Sequence, residues 1–214
     1  MAVRKLVVSV LVGVHTLYGS VSAGQTAQEI LEKVRRKYDS IEDARFDFSQ
    51  KITFSMTMIE QTMSGTLFLK KTNKYRLELD DQTIVTNGRT VWKYSMPQNQ
   101  VIIDTFKMNE RSLSPERILA GAPEDFFSTL LGKGKIGKSD VVSLKLVPKS
   151  DDSLIKSLKL WIDESSWLIR KVELLDVNEK QTVYLVNDVK INVGLQDSYF
   201  TYQIPDGSEV VDLR

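Results

Sequence analysis

The segment from Gly132 to Ser139 matches the phosphate-binding pattern GxxxxGK(S/T) at every specified position. That pattern holds phosphate when a buried strand precedes the loop and a helix follows it, because the loop amides and the helix N-terminus then point at the anion. Here the order is reversed: a helical pattern precedes the loop, and the alternation over residues 140–146 predicts a strand after it. We therefore interpret the segment as a solvated basic loop and not as a nucleotide site.

Other residue types that carry catalysis are scarce. Ser153 and Lys156 fit the pattern SxxK, but its companion motifs SDN and KTG are absent, and the segment follows an Asp-Asp pair in an expected turn. The single histidine, His15, lies in a segment that we expect to be removed, and the chain has no cysteine. The usual general base, thiol nucleophile and zinc ligands are therefore missing. The sequence predicts a binding protein and not an enzyme, with no catalytic residue, no metal site and no cofactor.

The N-terminus has the layout of a secretory signal. A basic pair at residues 4–5 precedes an apolar stretch over residues 6–18 that is too short to cross a bilayer, and residues 21–23 are small enough for a cleavage site. We therefore expect a signal peptide over residues 1–23, a single domain over residues 24–214 and a periplasmic location. A retained N-terminal anchor and a secreted eukaryotic domain are the alternatives that this segment leaves open. Basic and acidic residues are nearly balanced and interspersed, which argues against nucleic acid as a partner.

The expected mature chain opens with an amphipathic helix and continues in strands. Thr26 and Glu29 fit a capping box, and apolar residues then recur at helical spacing as far as Tyr38. Residues 46–54 alternate between apolar and polar, with Gln50 as the one interruption on the apolar face. Short turns between the following strands require antiparallel pairing, and the Asn-Gly pair at 87–88 is the clearest of them. These strands are predicted at residues 65–71, 75–79, 83–86, 90–94 and 101–106.

Two short helices are predicted in the middle of the chain. One begins at Ser114-Pro115 and runs toward Gly121, and the second begins at residues 123–125 and extends through Leu131 until Gly132 ends it. An antiparallel sheet of about ten strands is too large to stay flat, so we expect a mainly β (α+β) fold whose sheet curls beneath the helices. The remaining strands are predicted at residues 141–147, 155–162, 167–176, 182–193 and 199–204.

Apolar side chains of these strands and helices fit one side of the curled sheet. They form either an ordinary packed core or the lining of a cavity for an acyl chain, and the sequence leaves both interpretations open. The candidate cavity residues are Phe46, Phe48, Ile52, Phe54, Leu67, Leu69, Tyr75, Leu77, Leu79, Ile118, Leu119, Phe126, Phe127 and Leu130.

Four segments resemble one known family when they are taken in order. The strand over residues 65–71 begins with glycine and ends with two lysines, and residues 87–94 read Asn-Gly-Arg-Thr-Val-Trp-Lys-Tyr ahead of Gln-Val at 100–101. Ser-Pro at 114–115 precedes Ile118-Leu119, and Phe-Thr-Tyr at 200–202 precedes Pro205 and Gly207. Over essentially all of residues 24–214 the chain resembles the LolA-like family, the periplasmic carriers of outer-membrane lipoproteins.

The resemblance implies an unclosed antiparallel half-barrel of about ten to eleven strands with a helical lid over an apolar cavity. It implies a monomeric carrier that shields the acyl chains of lipoproteins, receives them from an inner-membrane ABC-type exporter and passes them to an outer-membrane acceptor lipoprotein. In this family a basic residue at the end of the glycine-led strand latches the lid. It is typically arginine followed by proline, whereas this chain has Lys71 followed by Thr72. Lysine lacks the rigid fork of a guanidinium, so Arg76 on the next strand is the alternative latch.

Three other functions stay open. The first is a carrier or sensor of another amphiphile, such as a glycolipid or phospholipid. The second is an enzyme that uses a buried pair of carboxylates, drawn from the 28 acidic residues of the chain. The third is a structural interaction module, in which the helices fill the concave side as a packed core.

Overall fold

The computed structural model describes residues 25–55, 57, 59–107 and 126–214. In this part of the chain a single α-helix precedes twelve strands, with one short 3₁₀ helix near the C-terminus. The elements are α1 (Ala27–Asp39), β1 (Asp43–Phe54), β2 (Ile59–Lys70), β3 (Lys74–Leu79), β4 (Gln82–Asn87), β5 (Thr90–Ser95), β6 (Gln100–Thr105), β7 (Phe126–Ile136), β8 (Ser139–Pro148), β9 (Ile155–Asp163), β10 (Ile169–Asp176), β11 (Lys180–Ile191), the 3₁₀ helix (Asp197–Phe200) and β12 (Glu209–Asp212).

Helix α1 begins at the predicted capping box. The Thr26 hydroxyl accepts a hydrogen bond from the Glu29 backbone N–H at 3.2 Å, and the Glu29 carboxylate accepts one from the Thr26 N–H at 3.0 Å. The apolar stripe of the helix is buried, from Ile30 through Val34 to Tyr38. The helix therefore lies on the sheet with the face that its sequence predicts.

All twelve strands form one unclosed sheet, in the order β12-β6-β5-β4-β3-β2-β1-β11-β10-β9-β8-β7. The predicted mainly β, unclosed architecture is thus confirmed. Every neighbouring pair is antiparallel except β12 with β6, which is parallel. At the predicted Asn-Gly turn, Gly88 has a φ of +87°, and a Cβ there would lie 2.6 Å from the Thr72 carbonyl oxygen. Glycine is required at that position by conformation and by space.

The two faces of the sheet are covered by different parts of the chain. We call the side on which α1 packs the helix face; its buried core includes Phe46, Leu67 and Leu160 together with the apolar stripe of α1. On the opposite side, the outer face, the C-terminal segment packs on β2 to β5. Phe200 is fully buried there, and the Tyr199 ring meets the Phe68 ring edge to face at 4.9 Å.

The second predicted central helix is wrong where it can be checked. Residues 126–131 lie in β7, which pairs with β8 in the register Phe126↔Pro148 to Ile136↔Ser139. The apolar pairs Phe126-Phe127 and Leu130-Leu131 fit helical spacing, but β8 offers a long partner strand, and tertiary pairing overrides local preference. The first predicted central helix, with Ile118 and Leu119, lies outside the described residues.

The β7 assignment also changes the surroundings of the glycine-lysine segment. Gly132 to Ser139 forms the end of the β7–β8 hairpin, so a strand and not a helix precedes its turn. The strand predicted after the turn is confirmed as β8. A phosphate-binding loop needs a helix directly after its last residue, and this segment has none.

The last predicted strand, residues 199–204, is also wrong. The chain forms a 3₁₀ helix at Asp197–Phe200 and continues without regular structure until β12. In a strand, neighbouring side chains point to opposite faces. The 3₁₀ turn instead places Tyr199 and Phe200 side by side, with their rings 6.1 Å apart, so that both pack on the outer face. The apolar residues that suggested a strand are therefore aromatic side chains of a 3₁₀ turn, which fix this segment to the outer face.

Candidate functional site

A cavity of about 300 Å³ lies on the helix face, near the end of the sheet that carries the β10–β11 turn. Its volume is at the lower end of the range for small-molecule sites. Roughly half of its lining residues are apolar, and none belongs to α1. The lining consists of Gln50, Ile52, Leu154, Ile155, Leu174, Asp176, Val177, Asn178, Lys180, Thr182 and Tyr184.

The pairing register of strands β1, β10 and β11 shows which residues form the floor of this cavity. Gln50 pairs with Tyr184 and Ile52 pairs with Thr182 across β1 and β11, and Leu174 pairs with Thr182 across β10 and β11. Side chains two residues apart share one face of a strand, so all five point to the helix face. The floor therefore continues the buried core beyond the residues that pack against α1.

Two loops form the wall of the cavity. The Val177 backbone N–H donates a hydrogen bond to the Leu154 carbonyl at 3.1 Å, which joins the β10–β11 turn to the β8–β9 loop. Leu154 is 61% exposed and Val177 is 43% exposed, although both are apolar. Exposed apolar side chains at the rim of an apolar hollow are typical of a surface that a ligand covers.

The polar groups of the cavity are arranged for binding. The Gln50 amide donates a hydrogen bond to the Tyr184 hydroxyl at 3.1 Å. Asp176 accepts hydrogen bonds from the backbone N–H groups of Asn178, at 2.8 Å, and Lys180, at 2.9 Å. The Asp176 carboxylate therefore stabilises its turn, and the cavity lining offers no second carboxylate for acid–base chemistry. A floor that combines Ile52 and Leu174 with the polar groups of Gln50, Thr182 and Tyr184 suits an amphiphilic molecule.

The structure divides the predicted cavity residues into groups. Phe46, Phe48, Leu67 and Leu77 are buried in the core with α1, and the Tyr38 ring stacks against Phe46 at 6.5 Å. The four residues that pack at the margin of this core and stay partly buried are Leu69, Tyr75, Leu79 and Phe126.

The other predicted cavity residues lie outside that core. Ile52 lines the cavity itself, and Phe54, two residues further along β1, is 36% exposed on the same face. Leu130 pairs with the buried Leu144 and is 43% exposed at the edge of the sheet. Phe127 faces away from the core, because its partner Val147 alternates with the buried residues of β8.

Sequence reasoning missed most of the cavity lining. Leu174, Thr182 and Tyr184 lie on predicted strands and are buried between partly buried neighbours. Because neighbours such as Val183 and Leu185 are also apolar, the sequence alternation that would place them on the helix face is weak. Gln50 is the one polar interruption on the apolar face of β1, and its hydrogen bond to Tyr184 explains it. Leu154 and Val177 lie in loops, where periodicity carries no signal.

The two predicted latch residues have partners in the structure. The Lys71 ammonium pairs with the Glu42 carboxylate, and the Lys71 backbone N–H donates to the Glu42 carbonyl at 3.0 Å. Arg76 lies on the outer face, where its guanidinium contacts the Glu78 carboxylate at 2.6 Å and lies 4.9 Å from the centre of the Tyr199 ring. The latch role of both residues stays a prediction.

Two kinds of feature are missing from the described part of the chain. Within those residues, no helix is both long enough and apolar enough to cross a bilayer. In the same part of the chain, no three His, Cys, Asp or Glu side chains converge as metal ligands would.

An unclosed, almost wholly antiparallel sheet with one helix on its helix face and a cavity further along the same face defines an open half-barrel. The chain belongs to the family of the outer membrane lipoprotein carrier protein LolA, whose model matches residues 39–203. The resemblance drawn from the four sequence segments is confirmed.

Three known proteins are similar to this chain at modest identity. The outer-membrane lipoprotein carrier protein of Azotobacter vinelandii is 27% identical over 201 residues, which cover 90% of this chain and 92% of that protein. An uncharacterized protein of Methanocaldococcus jannaschii is 25% identical over 97% of this chain, and the match spans 60% of that protein's length. An uncharacterized conserved protein of Thermus thermophilus has a crystal structure with a TM-score of 0.60, at 16% identity over 88% of this chain and 99% of that one. The last comparison shows the shared fold.

Proposed function

We propose that this protein is a periplasmic carrier of lipoproteins, which holds their acyl chains on the helix face and releases them at the outer membrane. One observation carries the proposal: a sheet of the LolA family keeps an open hollow of about 300 Å³ on the face where its apolar core lies. The neighbouring exposed apolar residues Phe54, Ile59 and Leu154 extend the surface that acyl chains would cover.

The energetics of acyl transfer explain why such a carrier needs a partner with a motor. Each methylene that moves from lipid into water costs about 0.8 kcal/mol, so extracting several acyl chains costs on the order of tens of kcal/mol. The glycine-lysine hairpin lacks the helix that a phosphate-binding loop requires, so the work is assigned to an inner-membrane ABC-type exporter. The carrier recovers part of that free energy by burying the acyl chains. Its binding must stay weak enough for the chains to pass on to an acceptor lipoprotein.

The cavity sets limits on the cargo. Its volume suits part of an acyl chain, so a cargo with several chains requires more of the helix face than the cavity alone. The core residues beneath α1, such as Phe46 and Phe48, become available only when α1 moves away from them. We therefore propose that loading displaces α1 and that the filled core is the unloaded state.

A second candidate is a carrier or sensor of another amphiphile, a glycolipid or a phospholipid. The hydrogen-bonded pair of Gln50 and Tyr184 favours it, because an amide and a hydroxyl in a partly apolar floor can pair with an ester or sugar group. Both candidates are binding functions without covalent chemistry. They differ in the ligand that copurifies with the protein, which is a lipoprotein for the first and a glycolipid or phospholipid for the second.

The test has two measurements. Native mass spectrometry of the protein isolated from periplasm, followed by organic extraction, identifies what it carries. A reconstituted assay then measures whether the protein, added to membranes that contain the exporter and ATP, brings a triacylated lipoprotein into the soluble fraction. A soluble complex with the lipoprotein supports the first candidate. A bound glycolipid or phospholipid without lipoprotein release supports the second, and failure to bind any amphiphile or hydrophobic probe contradicts both.

A further inference from the structure

The β7–β8 hairpin, residues 126–149, is a basic part of an otherwise balanced chain. It contains five lysines and a single acidic residue, Asp140. Lys133 pairs with Glu164 at 2.6 Å and Lys135 pairs with Asp140 at 3.0 Å, while Lys138 and Lys145 have no ion-pair partner among the described residues. The hairpin therefore keeps a net positive charge after its ion pairs are formed.

The same hairpin exposes apolar side chains on the outer face. Phe127 is 65% exposed and pairs in register with Val147, which is 38% exposed. Leu131, at the bulge of β7, is 49% exposed. Phe127 and Val147 are thus neighbouring apolar side chains that stay exposed on the outer face, and Leu131 is a further exposed apolar residue on the same strand.

Lysines border this apolar patch. The Lys149 ammonium lies 5.9 Å from the centre of the Phe127 ring, and Lys145 occupies the outer face of β8 two residues before Val147. Lysine keeps its charge in water while its methylene stem covers apolar surface. The arrangement places cations at the margin and apolar groups at the centre, which is how protein surfaces meet the headgroup region of a bilayer.

We propose that the β7–β8 hairpin docks this protein onto the surface of a bilayer that contains anionic phospholipids. Phe127 and Val147 enter the interfacial region, and the ammonium groups of the lysines beside them pair with lipid phosphates. Each lysine near an anionic surface strengthens binding by about fivefold, so the lysines together give reversible attachment without a covalent anchor. The proposal goes beyond cargo binding, because the surface lies on the face opposite the cavity.

Charge also argues against a second copy of the chain as the occupant. Strand β7 ends the sheet in the described part of the chain, and an unpaired edge strand is a template for pairing with another copy. Two such hairpins side by side would bring their excess lysines together. Lysines at an edge and a bulge in the strand are the devices that oppose this pairing, and β7 has both. An anionic lipid surface can instead form ion pairs with the same lysines.

The experiment measures cosedimentation with vesicles. We expect the protein to bind vesicles of phosphatidylcholine mixed with phosphatidylglycerol, to bind pure phosphatidylcholine vesicles much more weakly, and to dissociate as salt rises. Phe127→Ser should weaken binding by about tenfold, since it removes the largest apolar contact. Lys145→Gln should weaken it by about fivefold. Met96→Ser is the matched control, because Met96 is 60% exposed on the β5–β6 turn and outside the patch.

Three results would overturn the proposal. One is equal sedimentation with both kinds of vesicle, and another is unchanged binding of the Phe127→Ser protein. The third is self-association that Phe127→Ser abolishes while no vesicles are bound, which would assign the patch to a second copy. The Lys145→Gln protein is also tested for uptake of a fluorescent fatty acid, which should equal that of the wild type. Loss of vesicle binding with normal uptake separates this proposal from that of the cargo site.

Discussion

The Tyr38 hydroxyl accepts a hydrogen bond from the backbone N–H of Ile169, at 3.2 Å, and so joins the last turn of α1 to the start of β10. Ile169 lies at an irregularity of the β9–β10 ladder, where its N–H requires a partner from outside the sheet. The Tyr38 ring also stacks on Phe46. One side chain therefore connects the helix both to the backbone and to the apolar core of the helix face.

Replacing Tyr38 with phenylalanine should weaken this attachment without opening a void. The ring packing is kept, but the buried Ile169 N–H loses its acceptor, so we expect the free energy of unfolding to fall by about 1–3 kcal/mol at neutral pH. Urea unfolding monitored by circular dichroism measures the change. Tyr184→Phe serves as a control for removing a hydroxyl from the same face.

The same residue predicts a pH dependence. Burial raises the pKa of Tyr38 above its ordinary value of 10.0, and the hydrogen bond from Ile169 only partly offsets it. A raised pKa in the folded state gives stability that is complete below about pH 10 and is lost at higher pH, as the unfolded chain ionises first. The Tyr38→Phe protein should therefore lose less stability than the wild type between about pH 10 and pH 12. Equal losses in the two proteins would contradict the prediction.

Gly65 predicts a purely steric effect. A Cβ at this position would lie 2.6 Å from the Glu78 carbonyl oxygen and 2.7 Å from a Leu79 methyl carbon. Gly65→Ala should thus push β3 away from β2 and destabilise the fold by about 1–3 kcal/mol. Gly134→Ala is the matched control, since nothing lies within 4 Å of its added methyl and it also occupies a strand. Thermal unfolding of both variants measures the difference, and similar melting temperatures would count against the steric explanation.

Leu154 tests whether the cavity rim meets the cargo. Leu154→Glu places a charge at the mouth of the cavity, and we expect uptake of a fluorescent fatty acid to fall by about tenfold because a carboxylate resists desolvation. Met96→Glu makes the same change at 60% exposure, against 61% for Leu154, but far from the cavity lining. Both proteins should unfold like the wild type. Equal uptake by the two variants would remove the rim from the binding site.

Lys71 tests the predicted latch. Lys71→Leu breaks the exposed ion pair with Glu42, which contributes at most about 1 kcal/mol to stability. We therefore expect normal folding but altered release of lipoprotein in the reconstituted transfer assay. Glu42→Gln should reproduce the effect if the ion pair itself controls release. Lys51→Leu, which breaks the exposed ion pair with Glu60 on a different part of the sheet, should not. Transfer kinetics identical to the wild type would exclude Lys71 from the mechanism.

The sequence predicts strands well where one face is buried and the other is exposed. Residues 46–54 show the alternation directly, and the Asn-Gly pair places the β4–β5 hairpin. It fails at β7, where Phe126 and Phe127 are both apolar although they point to opposite faces. Alternation disappears when both faces carry apolar residues, and the preceding Pro-Glu-Asp then favours a helix start.

The candidate site is harder to predict than the fold, for a physical reason. Phe46 and Leu67 look like cavity residues because they are large and apolar, yet α1 buries them completely. The open hollow is lined instead by loop residues such as Leu154 and by polar residues such as Thr182. Which part of an apolar face stays uncovered depends on the length and position of its helix, and local sequence patterns do not contain that information.

The ladder of strands ends at β12 on one side and at β7 on the other, and these two strands do not pair. A closed barrel can widen only by breaking main-chain hydrogen bonds between its strands. This sheet can instead flatten, because its two edge strands are not joined to each other. In the described part of the chain, resistance to a bulky guest therefore comes from the contacts of α1 and other side chains on the helix face and not from closure of the sheet. The width of the half-barrel can therefore change with the size of the bound molecule while the hydrogen bonds between neighbouring strands stay intact.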